Sequence, residues 1–172
     1  MIVRKVCLMG AFAVGKTSLV RRFVHQVFNK TYKTTLGVSI ENKMVDLSGE
    51  MIKMVIWDFE GQHPANSESI EYSSRMRSYV KGAAGILLVA DGTRPWTLES
   101  AVEMHAKYLD SNPGTPYILL VNKSDLVDQW QVGNERLEML KSSFRYYETS
   151  AQSGKNVDLA FRELAGELVG TP

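Results

Sequence analysis

The residues best suited to chemistry are Gly10-Ala11-Phe12-Ala13-Val14-Gly15-Lys16-Thr17, which match G-x-x-x-x-G-K-[ST]. An apolar run, Val3 to Met9, precedes them, and a helix-like segment starts at Thr17. Strand, glycine loop and helix start in that order form a phosphate cradle. The first helix amides and the positive end of the helix dipole both face an anion placed there. Lys16 is set to reach β- and γ-phosphates, and the Thr17 hydroxyl is a hard oxygen donor suited to Mg2+.

Three further polar clusters each end an apolar, strand-like run. In Trp57-Asp58-Phe59-Glu60-Gly61-Gln62, Asp58 is placed to hold a magnesium-bound water, and the unhindered Gly61 amide can approach a γ-phosphate. In Asn122-Lys123-Ser124-Asp125, a carboxylate can accept guanine N1-H and N2-H together, a donor pair that adenine lacks. Glu148-Thr149-Ser150-Ala151 offers a backbone amide to guanine O6. Asn122 and Asp125 taken alone read equally well as strand-end caps. Their coincidence with a phosphate loop is what favours a base site.

The elements that must position these clusters follow from hydrophobic period. Leu19, Val20, Phe23, Val24 and Val27 predict an amphipathic helix over Thr17 to Val27. Phe28 to Gly37 has no sustained period and reads as a loop near the cradle. Val38 to Leu47 and Met51 to Asp58, joined by Ser48-Gly49-Glu50, predict an antiparallel hairpin at one sheet edge. Phe59 to Arg77 is polar and reads as a loop leading into a helix that starts near Ser69. Gly85 to Ala90 and Tyr117 to Val121 are continuous apolar runs, as in parallel strands covered on both faces. Pro95 to Leu109, Val132 to Lys141 and Val157 to Leu168 predict helices, the last through Val157, Leu159, Ala160, Phe161, Leu164 and Leu168. A short strand over Arg145 to Thr149 lies between the final two. The sum is an α/β fold: a single, mostly parallel six-stranded sheet with one antiparallel edge strand and helices on both faces. Ligands in such folds bind at the carboxyl ends of the strands.

Length and charge narrow the function. A chain of 172 residues is expected to form one domain over residues 1–172. Lys and Arg number 20 against 19 Asp and Glu, a net charge of +1 with the basic residues scattered, so no nucleic-acid partner is expected. The only cysteine, Cys7, sits in the first apolar run and reads as a core thiol of a protein in a reducing compartment. The most apolar window, Ala83 to Ala90, is far shorter than a membrane span, and a cytoplasmic location is expected.

With five motifs in order over nearly its whole length, the chain resembles a Ras-superfamily small GTPase, nearest the Rab-like branch. That resemblance implies the P-loop NTPase fold, binding of GTP and GDP with Mg2+, hydrolysis of GTP to GDP and phosphate, and a molecular switch built on loops near 28–40 and 58–80. It implies nucleotide contacts from Ala13, Val14, Gly15, Lys16, Thr17 and Ser18 in the phosphate loop. Phe28 would stack on the guanine edge, Tyr32 would lie over the phosphates, and Thr35 would bind the metal and sense the γ-phosphate. Gly61 would meet the γ-phosphate, and Asn122, Lys123, Asp125, Ser150, Ala151 and Gln152 would hold the base. The metal set would be Thr17, Thr35 and, through water, Asp58, and the catalytic set Gln62, Lys16 and Thr35, with Gln62 orienting the attacking water. Expected partners are effectors, exchange factors and GTPase-activating proteins at the switch loops.

Several positions depart from the family pattern. Phe12 stands where a small residue is usual, so its ring either occupies space beside the γ-phosphate or turns outward under the segment after Gln62. Phe59-Glu60 replaces Thr-Ala, placing bulk and charge beside Gln62. The segment from Gln62 to Gly82 is several residues longer than in typical Rabs, and Gln152 replaces a common lysine. The chain as written ends at Gly170-Thr171-Pro172 without a cysteine, so no lipid anchor is expected. Slow hydrolysis without an activating partner is expected. The alternatives are a nucleotide-binding interaction module with negligible hydrolysis, and a GTPase domain excised from a larger protein.

Overall fold

The structure, a computed structural model, describes residues 1–31, 33–63, 69–109 and 112–170. Its elements run β1 (Ile2–Gly10), α1 (Lys16–His25), β2 (Val38–Leu47), β3 (Glu50–Phe59), α2 (Ile70–Val80), β4 (Gly85–Asp91) and α3 (Trp96–Leu109). They continue through β5 (Tyr117–Asn122), a short 3-10 turn (Val127–Gln129), α4 (Asn134–Leu140), β6 (Tyr146–Glu148) and α5 (Val157–Val169). The strands form one sheet in the order β2-β3-β1-β4-β5-β6, with only β2 antiparallel to its neighbour. This is the expected architecture.

Alternation along the central strands divides the core in two, because successive side chains leave a strand on opposite faces. Val6 and Leu8, Leu87 and Val89, Ile118 and Leu120 pack with α1 and α5 on one face, where Phe23 stacks on Phe161 with ring centroids 4.2 Å apart. Cys7 and Met9, Leu88 and Ala90, Leu119 and Val121 share the other face with Tyr72, Met76, Leu98, Met104 and Leu137 of α2, α3 and α4. Burial raises the Cys7 thiol to about 12, which keeps it a core group.

Some element ends differ from the expectation. Helix α1 stops at His25 because Gln26 turns left-handed, with φ 58°, and Val27 is left exposed. Helix α4 starts at Asn134, not Val132. The Gln131 and Val132 amides instead donate to the Gly92 carbonyl at 2.8 and 3.1 Å, so tertiary bonds hold Val132 buried in extended chain. Leu159 of α5 is exposed, outside the stripe of Val157, Ala160, Phe161, Leu164 and Leu168. Ser69 is the cap of α2, its hydroxyl accepting from the Tyr72 amide at 3.3 Å. At the hairpin, Ser48 and Gly49 both have positive φ, 56° and 98°, the backbone that matches a two-residue turn to strand twist. No helix among the described residues is long and apolar enough to cross a membrane.

Candidate functional site

The loop after β1 and the loops after β5 and β6 meet at the carboxyl ends of the strands around a cavity of about 250 Å³. Gly15 caps α1 with φ 100°, and a β-carbon there would stand 2.4 Å from Asn122 Nδ2, so both backbone and space require glycine. The Lys16 ammonium is buried, donating to the carbonyls of Gly10 and Ala11 at 3.0 and 2.9 Å. Burial pulls its pKa down to about 8, against the pull of Asp58, while the positive charge of Arg94 adds to the lowering. A polyphosphate beside it would favour the charged form again.

Three oxygens stand together at the foot of this loop. Thr17 Oγ1 donates to Asp58 Oδ2 at 2.5 Å and lies 2.7 Å from Thr35 Oγ1, which then must donate to it. The other carboxylate oxygen, Asp58 Oδ1, is buried with no hydrogen-bond partner among the described residues. Burial raises the Asp58 pKa, against the Thr17 hydroxyl bond and the charges of Lys16 and Arg21. An orphaned carboxylate oxygen beside two hydroxyls is a donor set that fits a hard, oxygen-seeking cation with its waters.

Asn122 knits the rest. Its Nδ2 donates to the Val14 carbonyl at 3.0 Å, and its Oδ1 accepts from the Ala151 amide at 3.2 Å and Thr149 Oγ1 at 3.3 Å. One side chain thus binds the phosphate loop to the loop after β6. Asp125 Oδ1 accepts from Ser150 Oγ at 2.6 Å, which orients the carboxylate.

Of the predicted nucleotide contacts, Ala13, Gly15, Lys16, Thr17, Ser18 and Phe28 line the cavity, as do Thr35, Gly61, Asn122, Lys123, Asp125, Ala151 and Gln152. Val14 and Ser150 are buried behind it. Tyr32 lies outside the described residues, as do 64–68 of the long second loop. Gln62 is joined to the phosphate loop through its backbone: its amide donates to the Gly10 carbonyl at 3.2 Å and its carbonyl accepts from the Phe12 amide at 2.9 Å. A β-carbon on Gly61 would come within 2.5 Å of Phe12 Cα, so glycine alone permits that approach.

Phe12 lines the cavity, and its ring also meets His63 edge-on, with centroids 5.5 Å apart, so it touches the segment after Gln62 as well. Phe59 is buried in the core, where it stacks on Tyr79 at 5.2 Å, and it also borders the cavity. Glu60 faces Gly37 and forms an ion pair with Arg75 of α2.

Asp91, Arg94 and Arg21 lie outside every motif and yet stand at or beside the site. Asp91 ends β4 with its side chain fully buried; Arg94 and Lys123 both pair with its Oδ2, at 2.9 and 2.7 Å. Arg21 reaches the cavity from α1. A carboxylate closing an otherwise apolar strand was the available signal for Asp91. Nothing local marks Arg94.

A glycine-bearing loop over a buried lysine, with the Asp125 carboxylate in the same cavity at the carboxyl edge of this sheet, is the arrangement of a P-loop nucleotide-binding protein. The sequence profile of the Ras family matches residues 5–169, and the chain belongs to that family. Ras-related protein Rab-13 of Bos taurus is 35% identical over 169 residues, which cover 96% of this chain and 79% of that protein. Ras-related protein Rab-8B of Homo sapiens is 34% identical over 173 residues, covering 96% of this chain and 78% of that protein. Ras-related protein Rab11E of Lotus japonicus is 35% identical over 167 residues, 95% of this chain and 73% of that protein. The chain is accordingly a Rab-like small GTPase.

Proposed function

We propose that the chain acts as one unit that binds GTP and GDP with Mg2+ and works as a cytoplasmic switch through the loops near 28–40 and 58–80. The observation that carries this is the Thr17–Thr35–Asp58 oxygen cluster with its orphaned Asp58 Oδ1, adjoining Lys16 in a cavity that Asp125 also lines. Thr17 and Thr35 would hold Mg2+ directly and Asp58 through water. When bound, Mg2+ would supply neutralisation of the phosphate charge.

In this reading Lys16 binds the β- and γ-phosphates and stabilises charge as the γ-phosphoryl group transfers. Gln62 orients the attacking water, and the Gly61 amide meets the γ-phosphate. Phosphoryl transfer asks the protein mainly for positioning and electrostatics, so hydrolysis is slow until a partner adds charge or order. Asp125 accepts from guanine while Ser150 steadies it, and the Ala151 amide meets O6. Thr35 releases when the γ-phosphate leaves, which frees the first switch loop for exchange of effectors, exchange factors and GTPase-activating proteins.

Single-turnover hydrolysis tests this. Protein loaded with GTP should retain nucleotide and release phosphate slowly with Mg2+, and faster than with the metal chelated. Equal rates with and without Mg2+, or adenine nucleotide recovered from the purified protein, would sink the reading.

A further inference from the structure

We propose that Arg94 is a positioning residue which, with Asp91, sets the phosphate loop and the guanine loop at a fixed separation. The proposal rests on guanine nucleotide filling the cavity described above. In the sheet β4 lies between β1, which feeds the phosphate loop, and β5, which feeds the base loop. Asp91 is the last residue of β4 and stands opposite Asn122 in the β4–β5 register. It therefore occupies the midpoint between the two halves of the site.

The bonds run to both sides. Asp91 Oδ2 pairs with Lys123 of the base loop at 2.7 Å and with Arg94 Nε at 2.9 Å, while Oδ1 accepts from the Thr93 amide and hydroxyl at 2.9 and 2.7 Å. The other arm of the Arg94 fork, Nη2, donates to the Phe12 carbonyl of the phosphate loop at 2.9 Å, across 82 positions of sequence. Trp96 lies over the guanidinium, 5.5 Å from ring centroid to Cζ, and restrains it further.

Charge balance alone does not call for this arginine. Lys123 already neutralises Asp91, so Arg94 leaves one surplus positive charge beside a loop built for anions, and its second arm holds backbone rather than carboxylate. A planar fork can grip both groups at once. A lysine ammonium on a shorter, single-headed stem can pair with Asp91 but cannot also span to Phe12. The consequence is that loosening Arg94 frees the phosphate loop and disturbs the seat of Lys123, so nucleotide leaves faster although neither Arg94 nor Asp91 lines the cavity.

The test follows release of a fluorescent GDP analogue at fixed Mg2+, together with the melting temperature of the loaded protein. Wild-type binding is measured first, and its absence would overturn the nucleotide reading itself. Given binding, Arg94→Ala should speed release by about tenfold. Arg94→Lys should recover most of the melting temperature, through its pair with Asp91, while release stays fast. Release by Arg94→Ala within about twofold of wild type would overturn the proposal. So would an Arg94→Lys protein in which release returns to wild type along with melting, since that is the behaviour of a merely structural ion pair.

Discussion

Glu60 and Gly37 are bonded twice: the Glu60 amide donates to the Gly37 carbonyl at 2.8 Å, and the Gly37 amide donates to Glu60 Oε2 at 3.3 Å. The same carboxylate pairs with Arg75 on α2. A residue that departs from the family pattern therefore ties the loop bearing Thr35 to the helix after the second loop. Only the side-chain bonds are lost in Glu60→Ala, and the Arg75 pair is partly exposed, so the total effect is modest. Hydrogen exchange at Gly37 in the GDP-bound protein should accelerate about three- to tenfold. An unchanged rate would show that the carboxylate does not hold this loop in solution.

Asp125→Asn should exchange guanine specificity for xanthine specificity. The carboxylate loses its capacity to accept two guanine donors, and the Ser150 hydroxyl at 2.6 Å loses its anionic acceptor. GDP affinity should fall about 10- to 100-fold, with a gain for xanthosine diphosphate, measured by competition against a fluorescent nucleotide. Equal affinity for both diphosphates before and after the change would remove Asp125 from base recognition.

The packing of Phe12 against His63 bears on rate. With its ring engaged 5.5 Å from the imidazole, removal should chiefly loosen the segment after Gln62. Phe12→Ala is expected to cost about 1 kcal/mol in stability from the lost ring contact and to change intrinsic single-turnover hydrolysis by less than about threefold. A rise of more than about tenfold would show the ring obstructing the reacting groups instead.

Acid should act through Asp91. Burial alone would raise its pKa, but bonds from Lys123 and Thr93 hold it below the ordinary carboxylate value. A depressed folded-state pKa means the unfolded chain binds the proton more readily. The stabilisation is therefore complete at neutral pH and is lost as the pH falls below about 4. Urea unfolding of wild type and Asp91→Asn, both GDP-loaded, should differ most at pH 7 and converge toward pH 3. A gap that stays constant over that range would mean Asp91 contributes without its charge.

What the sequence determined by itself was local or periodic. The spacing of Gly10, Gly15, Lys16 and Thr17 specifies an anion cradle because the bonding groups are backbone amides and one helix start, all within a few residues. The alternation of Val6, Cys7, Leu8 and Met9 specifies a strand with two buried faces for the same kind of reason, and the order of such strands sets the sheet. Asp58, next to the end of β3, and Asp125, in the loop just after β5, could be picked out because they fall at the carboxyl ends of apolar strands, the edge where ligands gather in such folds.

Only the tertiary structure decided which long-range partners these residues find. Asn122 joins Val14 to Ala151, Arg94 reaches Phe12, and Gly92 draws Val132 out of the helix that its hydrophobic period implied. Phe59 and Phe12 read alike as bulk near the site, yet one enters the core on Tyr79 and the other packs on His63. A bond from a side chain to a distant carbonyl leaves no period and no motif in the chain. Its geometry exists only once the sheet has brought the loop ends within about 3 Å of one another.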